Sequence, residues 1–209
     1  MKKNRKHIAV CAALILISVL AEYVVYLYYD SLRANPVILN SRMAVAPVYN
    51  TDGSWLHGCW GIGYNGALLC LENVGALLVT WYLFRLIEIY NIFYGLSENW
   101  LYVMDLEIAV PIYRLLARFY RPYTLDYLYI RGYGTYDFPD FCIGAGIAGA
   151  VLWMVPTMVL YYRYKRERTA GMGFLAKWKW EFRMSRQAMS MPFVKKSRWE
   201  ERFEKWRAE

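Results

Sequence analysis

The chain has 209 residues, 58% hydrophobic and 18% aromatic, with a net charge of +8 and a mean hydropathy of +0.15. That much apolar surface exceeds what a soluble domain of this size hides, which argues against an ordinary water-soluble protein and for a bilayer as the solvent. Two histidines without an HExxH pattern, and cysteines at 11, 59, 70 and 142 without CxxC spacing, supply no metal or redox motif, so no metal or organic cofactor is expected.

Lys2, Lys3, Arg5 and Lys6 lead into the first apolar run, Ile8–Tyr29. The run is too long for the apolar core of a cleaved signal peptide and no small-x-small site follows it, so it reads as a retained membrane span. Glu22 lies inside it. A carboxylate at mid-span costs about 2.5–3.5 kcal/mol unless it faces protein, so Glu22 is expected to turn into a helix bundle, with Arg114 or Arg118 as partner. A purely structural ion pair accounts for it as well as a functional role does. Residues 30–72 form a long outer segment punctuated by Ala-Asn-Pro, Tyr-Asn-Thr-Asp-Gly-Ser and Gly-Ile-Gly-Tyr-Asn-Gly turns. Between these turns Val37–Asn40 and Met43–Tyr49 are candidate short strands. Cys59 and Cys70 are the one pair placed to form an outer disulfide.

Three more runs of bilayer length follow, at 75–94, 101–120 and 141–162. About twenty residues at about 1.5 Å rise match a hydrocarbon core of about 30 Å. The short connection Gly95–Trp100 makes the second and third spans antiparallel neighbours. Asp105, Glu107, Arg114 and Arg118 keep the third from facing lipid. A loop, Arg121–Pro139, containing a short tyrosine-rich hairpin, joins the third span to the fourth. The expected fold is an all-α membrane protein with four transmembrane helices in residues 1–162, room for short β-strands outside, and a basic tail, 163–209.

The tail holds fourteen Lys and Arg against six acids, and the N-terminus is basic too. Positive segments stay in the cytoplasm, so both termini are expected inside and the 30–72 and 121–139 segments outside. Within the tail Trp199, Phe203 and Trp206 recur at i, i+4 and i+7, the spacing of an amphipathic helix on the inner membrane face. A solvated charged tail with incidental tryptophans is the other reading. Anionic lipid headgroups are the natural partner of this charge, and nothing points to nucleic acid.

The residues that carry chemistry sit at the outer ends of the spans. Asp126 (Tyr-Thr-Leu-Asp-Tyr) and Asp140 (Tyr-Asp-Phe-Pro-Asp) flank the hairpin, with Asp137 between them. Alone, Asp140 reads as the N-cap of the fourth helix and Asp126 as a loop carboxylate. Three acids in fifteen residues at one membrane surface suggest more. Close carboxylates cannot all ionise, so one holds a proton while another acts as base, which is how a carboxylate dyad activates water.

An acid in the first span, Asn73-Val-Gly75-Ala opening the second, Arg118 eight residues before Asp126, and Asp137-Phe-Pro-Asp140 opening the fourth follow one another in an order that resembles the lipoprotein signal peptidases (signal peptidase II). These are four-span aspartyl peptidases of the bacterial cytoplasmic membrane. The resemblance covers about residues 8–162. It implies Asp126 and Asp140 as the catalytic pair. Asn73, Gly75, Arg118, Glu22 and Asp137 become supporting or substrate-binding residues. It also implies a diacylglyceryl-modified prolipoprotein as substrate, cleaved before its acylated Cys at the outer face, with membrane lipids around it. The chain departs from the family's Gly-Asn-x-x-Asp-Arg at Arg114 and Ala117, from Phe-Asn-x-Ala-Asp at Asp137 and Pro139, and has Tyr26 where Lys is usual. Those departures sustain the alternative of a catalytically impaired relative that binds lipoproteins as a scaffold.

Overall fold

The computed structural model describes residues 2–51, 55–63, 65–119 and 123–208. In chain order the elements are α1 (Lys2–Leu27), α2 (Tyr29–Ala34), β1 (Val37–Asn40), β2 (Met43–Asn50), α3 (Trp55–Trp60), α4 (Gly66–Tyr94), α5 (Leu101–Ala117), β3 (Thr124–Ile130), β4 (Gly134–Tyr136), α6 (Phe138–Arg168), α7 (Phe174–Ser190) and α8 (Trp199–Ala208).

Among the described residues three segments are long and apolar enough to cross a membrane: Arg5–Leu27 of α1, α4 and α6. Only 17%, 17% and 11% of their apolar windows is buried by protein, so side chains such as Leu20, Val24, Leu78, Val79, Val155 and Val159 point outward. A bilayer tolerates that arrangement and water does not; the chain is a membrane protein. The expected third span is different. Its helix, α5, has seventeen residues with Pro111 inside it, and Leu101, Met104, Asp105, Ala109, Val110, Tyr113 and Ala117 are all buried. Buried positions every three or four residues mark a helix packed on protein, as its charged residues required. By length and composition three helices among the described residues, rather than the expected four, are able to cross a membrane; α5 is shorter and enclosed by protein.

The fold is mostly helical, and the room left for short strands is filled by a four-stranded antiparallel sheet in the order β1-β2-β3-β4. The two strand candidates in the outer segment are β1 and β2, joined by a tight turn in which Asn40 Oδ1 accepts from Arg42 N–H at 2.8 Å. The other two strands come from the segment expected as the loop Arg121–Pro139. Its Tyr-Leu-Tyr-Ile stretch favours extended backbone, and Gly132 (φ +84°) and Gly134 (φ +116°) take the conformations its reversal needs. Asp126 therefore lies on a strand, not in a loop.

The chain divides into two compact units. The first, Met1–Thr80 with Asp105–Ile147, contains the sheet and Asp126, Asp137 and Asp140. The second, Trp81–Met104 with Ala148–Glu209, is built on a core of Ile89, Trp180, Met184, Met191, Trp199, Phe203 and Trp206. Within it α5 and α6 approach closely, since a Cβ on Gly149 would stand 2.7 Å from both Val103 methyls. The tail is thus folded: α7 and α8 follow α6, and the three aromatics expected on the membrane are 2%, 0% and 3% exposed. A sequence stripe of Trp and Phe does not distinguish a lipid partner from Ile89 and Trp180; here protein covers it. All four cysteines are free, including Cys59 and Cys70.

Candidate active site

Asp126 reaches its place through a fault in the sheet. Val45 faces Leu128 across the β2–β3 ladder, but Val48 faces Asp126, so β2 has gained one residue between them. Pro47, without an N–H for the ladder, sits in this bulge. A one-residue slip moves side chains to the other face. Asn50 consequently pairs with Thr124 and lies diagonal to Asp126 on the same face. Its Nδ2 donates to Asp126 Oδ2 at 3.0 Å.

Asp137 and Asp140 enter from the start of α6. The helix begins at Phe138, which makes Asp137 the capping residue and puts Asp140 in the first turn, correcting the expectation that Asp140 is the cap. Asp140 N–H donates to Asp137 Oδ1 at 2.9 Å, and Asp137 N–H donates to Asp140 Oδ2 at 3.1 Å. This is a capping box with aspartate in the place of the usual Glu or Gln. The Tyr127 hydroxyl, from β3, accepts from Phe138 N–H at 3.0 Å and ties the strand to the same helix end. Arg114, near the end of α5, donates from Nη2 to Asp140 Oδ1 at 2.7 Å.

Carboxylate oxygens of Asp126, Asp137 and Asp140 all lie within 4.8 Å of one another. Burial pushes the Asp126 carboxyl up to about 6; the charges of Asp140 and Glu22 add to this, while the Asn50 hydrogen bond and Arg114 oppose it. Burial first, and then the charge of Asp140, hold Asp137 well above the usual carboxylate range, with Arg114 pulling the other way. A base near neutrality and a carboxyl that keeps its proton are the halves of an acid/base device. The trio is also the one group among the described residues arranged to ligate a cation. Arg114 already places a fixed positive charge on Asp140, and a dication would have to displace or oppose it.

Glu22 is buried and lies just behind the cluster. One oxygen accepts from Leu125 N–H at 3.2 Å and the other from the Tyr113 hydroxyl. These two contacts tie α1 to α5 and to the residue before Asp126.

Of the seven residues named from sequence, four come together: Asp126, Asp137, Asp140 and Glu22. Arg118 is half-buried past the end of α5, and it is Arg114 that makes the contact with Asp140. Asn73 turns onto its own helix, donating to the Leu69 carbonyl at 2.7 Å. Gly75 faces open space; a Cβ there meets nothing within 4 Å. Asn50, Tyr113 and Tyr127 were not anticipated. Their roles depend on the β2 bulge and on contacts 11 to 91 residues apart in sequence, for which no local pattern exists.

No family model and no curated protein matches the sequence. Two solved structures share the fold, each described as a bacterial membrane enzyme. One superposes with a TM-score of 0.53 at 9% identity, over 73% of this chain and 89% of that chain. The other gives 0.52 at 8%, over 72% and 92%. At such identity the likeness is one of fold.

Proposed function

We propose that the chain is an intramembrane aspartyl endopeptidase of the signal peptidase II type. It would remove the signal peptide of a diacylglyceryl-modified prolipoprotein at the bond before the acylated Cys. The observation that carries this reading is the convergence of Asp126 and Asp140 from β3 and α6, two elements that meet at the mouth of a helical membrane protein. The membrane-enzyme fold of the two structural neighbours and the order of the sequence motifs support it. In the proposed topology α1, α4, α5 and α6 are the four spans, both termini are cytoplasmic and the site opens at the outer face of a bacterial cytoplasmic membrane.

Asp126, whose carboxyl burial pushes up to about 6, takes a proton from water as it attacks the scissile carbonyl. The opposing carboxyl group, Asp140, passes a proton to the developing oxyanion. Asp126 then gives the proton it took from water to the departing amine, and the diol proton returns to Asp140 as the C–N bond breaks. Arg114 keeps Asp140 oriented, and Asn50 and Glu22 fix Asp126 through its side chain and its neighbouring backbone.

A second reading has one observation in its favour. Both oxygens of Asp140 are engaged, one by Arg114 and one by Asp137 N–H, as in a site serving as a rigid scaffold that binds a lipoprotein without cutting it. One experiment separates the two. The purified chain in lipid is mixed with a lipidated precursor, alongside Asp126→Asn and Asp140→Asn. Cleavage by the native chain alone, with binding kept in all three, is the expected result. Full processing by either variant ends the peptidase reading, and binding without cleavage by the native chain selects the scaffold.

A further inference from the structure

The helix α7 carries two apolar faces, of which the fold uses one. Trp180 and Met184 point into the core, 4% and 9% exposed. Phe174, Trp178 and Phe182, spaced i, i+4, i+8, form a separate stripe that is 82%, 60% and 63% exposed, with Leu175 beside it at 70%. The Trp178 and Phe182 rings stack on each other 6.0 Å apart, and neither belongs to the core cluster. Next around the helix come Lys179, Arg183 and Arg186, all exposed, at i, i+4 and i+7. One helix thus presents a core face, an unburied aromatic face and a basic face, in that order around its axis.

Three observations name the occupant of the aromatic face. First, the border is cationic, whereas the centres of protein–protein interfaces are depleted of Lys. Aromatic residues flanked by Lys and Arg are the composition of a helix lying in the headgroup layer. Second, α7 begins only six residues after α6, a helix of membrane-crossing length, ends at Arg168. Gly171, with a positive φ of +79°, turns the chain between the two helices, and α7 stays beside the C-terminal end of α6. Third, Phe174, Lys177 and Trp178 form one wall of a groove of about 510 Å³ whose other wall is Tyr162, Lys165, Arg166 and Thr169 of the chain leaving that span. The groove combines aromatic sides with cations and a hydroxyl, and its one acid, Glu181, pairs with Lys165 at 2.7 Å. That is a seat for a lipid phosphate with its glycerol against the rings.

We propose that α7 is an interfacial helix that docks on an anionic bilayer, burying Phe174, Leu175, Trp178 and Phe182 among the lipids while Lys179, Arg183, Arg186 and the groove cations hold phosphate headgroups. This moves the membrane-contacting role from the Trp199 face, which protein covers, to the preceding helix. It stands independently of the peptidase reading.

The test uses the full chain in bilayers of equimolar phosphatidylcholine and phosphatidylglycerol, with a diazirine-bearing phenylalanine analogue at position 178 or 182 and, as control, at the exposed position 176 on the far side of α7. After irradiation, positions 178 and 182 are expected to yield phospholipid adducts by mass and position 176 chiefly water adducts. Phosphatidylglycerol adducts should exceed phosphatidylcholine adducts about twofold or more. Changing Lys179, Arg183 and Arg186 together to Gln should bring that ratio toward one while lipid adducts persist. Water adducts at 178 and 182 matching those at 176, or cross-links there to another polypeptide, overturn the docking proposal. Equal labelling of the two lipids by the native chain overturns its anionic selectivity.

Discussion

Asp137 and Asp140 cap one another: each backbone N–H donates to the other's carboxylate, at 3.1 and 2.9 Å, as α6 begins. One Asp140 oxygen and one Asp137 oxygen are therefore spent on starting a helix, and the box fixes the carboxylate that faces Asp126. The three acids then divide by role. Asp137 sets the helix end, Asp140 is held by that end and by Arg114, and Asp126 stands on the sheet opposite both.

This division predicts unequal effects at Asp137. Asparagine keeps the acceptor oxygen of the cap but no titrating proton, whereas alanine loses both. Asp137→Ala is expected to lower stability by about 1 kcal/mol, the usual cost of a lost cap, read as a fall of about 2–4 °C in Tm in detergent. Asp137→Asn should unfold at or above the native temperature at neutral pH, since it removes a carboxyl whose ionisation burial opposes, and should retain cleavage within about tenfold if Asp126 and Asp140 do the chemistry. Loss of cleavage in Asp137→Asn as deep as in Asp126→Asn would make Asp137 a direct participant.

Asp126 predicts opposite pH trends for activity and stability. Its folded carboxyl titrates at about 6, above the ordinary value of about 3.9 in an unfolded chain. Between those values the folded state binds the extra proton, so stability rises as pH falls through 6, and the raised Asp137 acts in the same direction. Cleavage needs the ionised base and should fall over the same interval. Tm measured from pH 7.5 to 5 should climb while turnover declines. Asp126→Asn should flatten part of the climb and raise Tm at neutral pH. A native Tm that drops steadily through this range contradicts the assignment.

Arg114 stands where the resembling family carries Asn, and its guanidinium supports Asp140 while lowering the Asp126 carboxyl. Arg114→Ala removes a partly buried partner and is expected to cost about 10²-fold or more in turnover, in the range of a lost charge-assisted support. The acid limb of the pH–rate profile should also shift to higher pH, because the base loses a nearby positive charge. Arg114→Lys should keep the limb near its native position while recovering only part of the rate, since a point charge does not reproduce the planar fork. An unmoved limb in Arg114→Ala removes the electrostatic part of this account.

Some of this was legible in the residues and some was not, for definite reasons. Turn signals around Val37–Asn40 and Met43–Tyr49 marked β1 and β2 because Asn, Gly and Pro act locally. Mid-span Glu22 announced its burial, since lipid offers no alternative. Two partners of Glu22 were hidden: Tyr113 and Leu125 reach it only after the helices and sheet have assembled. Asn50 was hidden for the same reason, because its facing depends on the bulge at Pro47. In the tail, the period of Trp199, Phe203 and Trp206 gave the helix but not its partner, and two apolar faces on α7 blur into one hydrophobic, basic stretch when read linearly.

The α8 aromatics predict that the tail is a folded part rather than an appendage. Phe203 is fully buried against Phe93 and Trp206, with ring centroids 5.5 and 5.8 Å away. Trp199 packs under the Arg85 guanidinium at 4.3 Å and donates from Nε1 to the Val194 carbonyl at 3.1 Å. Phe203→Ala should leave a cavity costing about 3–5 kcal/mol, seen as rapid proteolysis within 174–208 and a lowered Tm. Phe182→Ala, on the exposed stripe of α7, should change Tm in detergent by less than about 1 °C, surface substitutions being nearly neutral. Equal protease sensitivity of the Phe203→Ala and native chains would mean that α8 does not hold this core, and the apolar face of α8 would again be available to lipid.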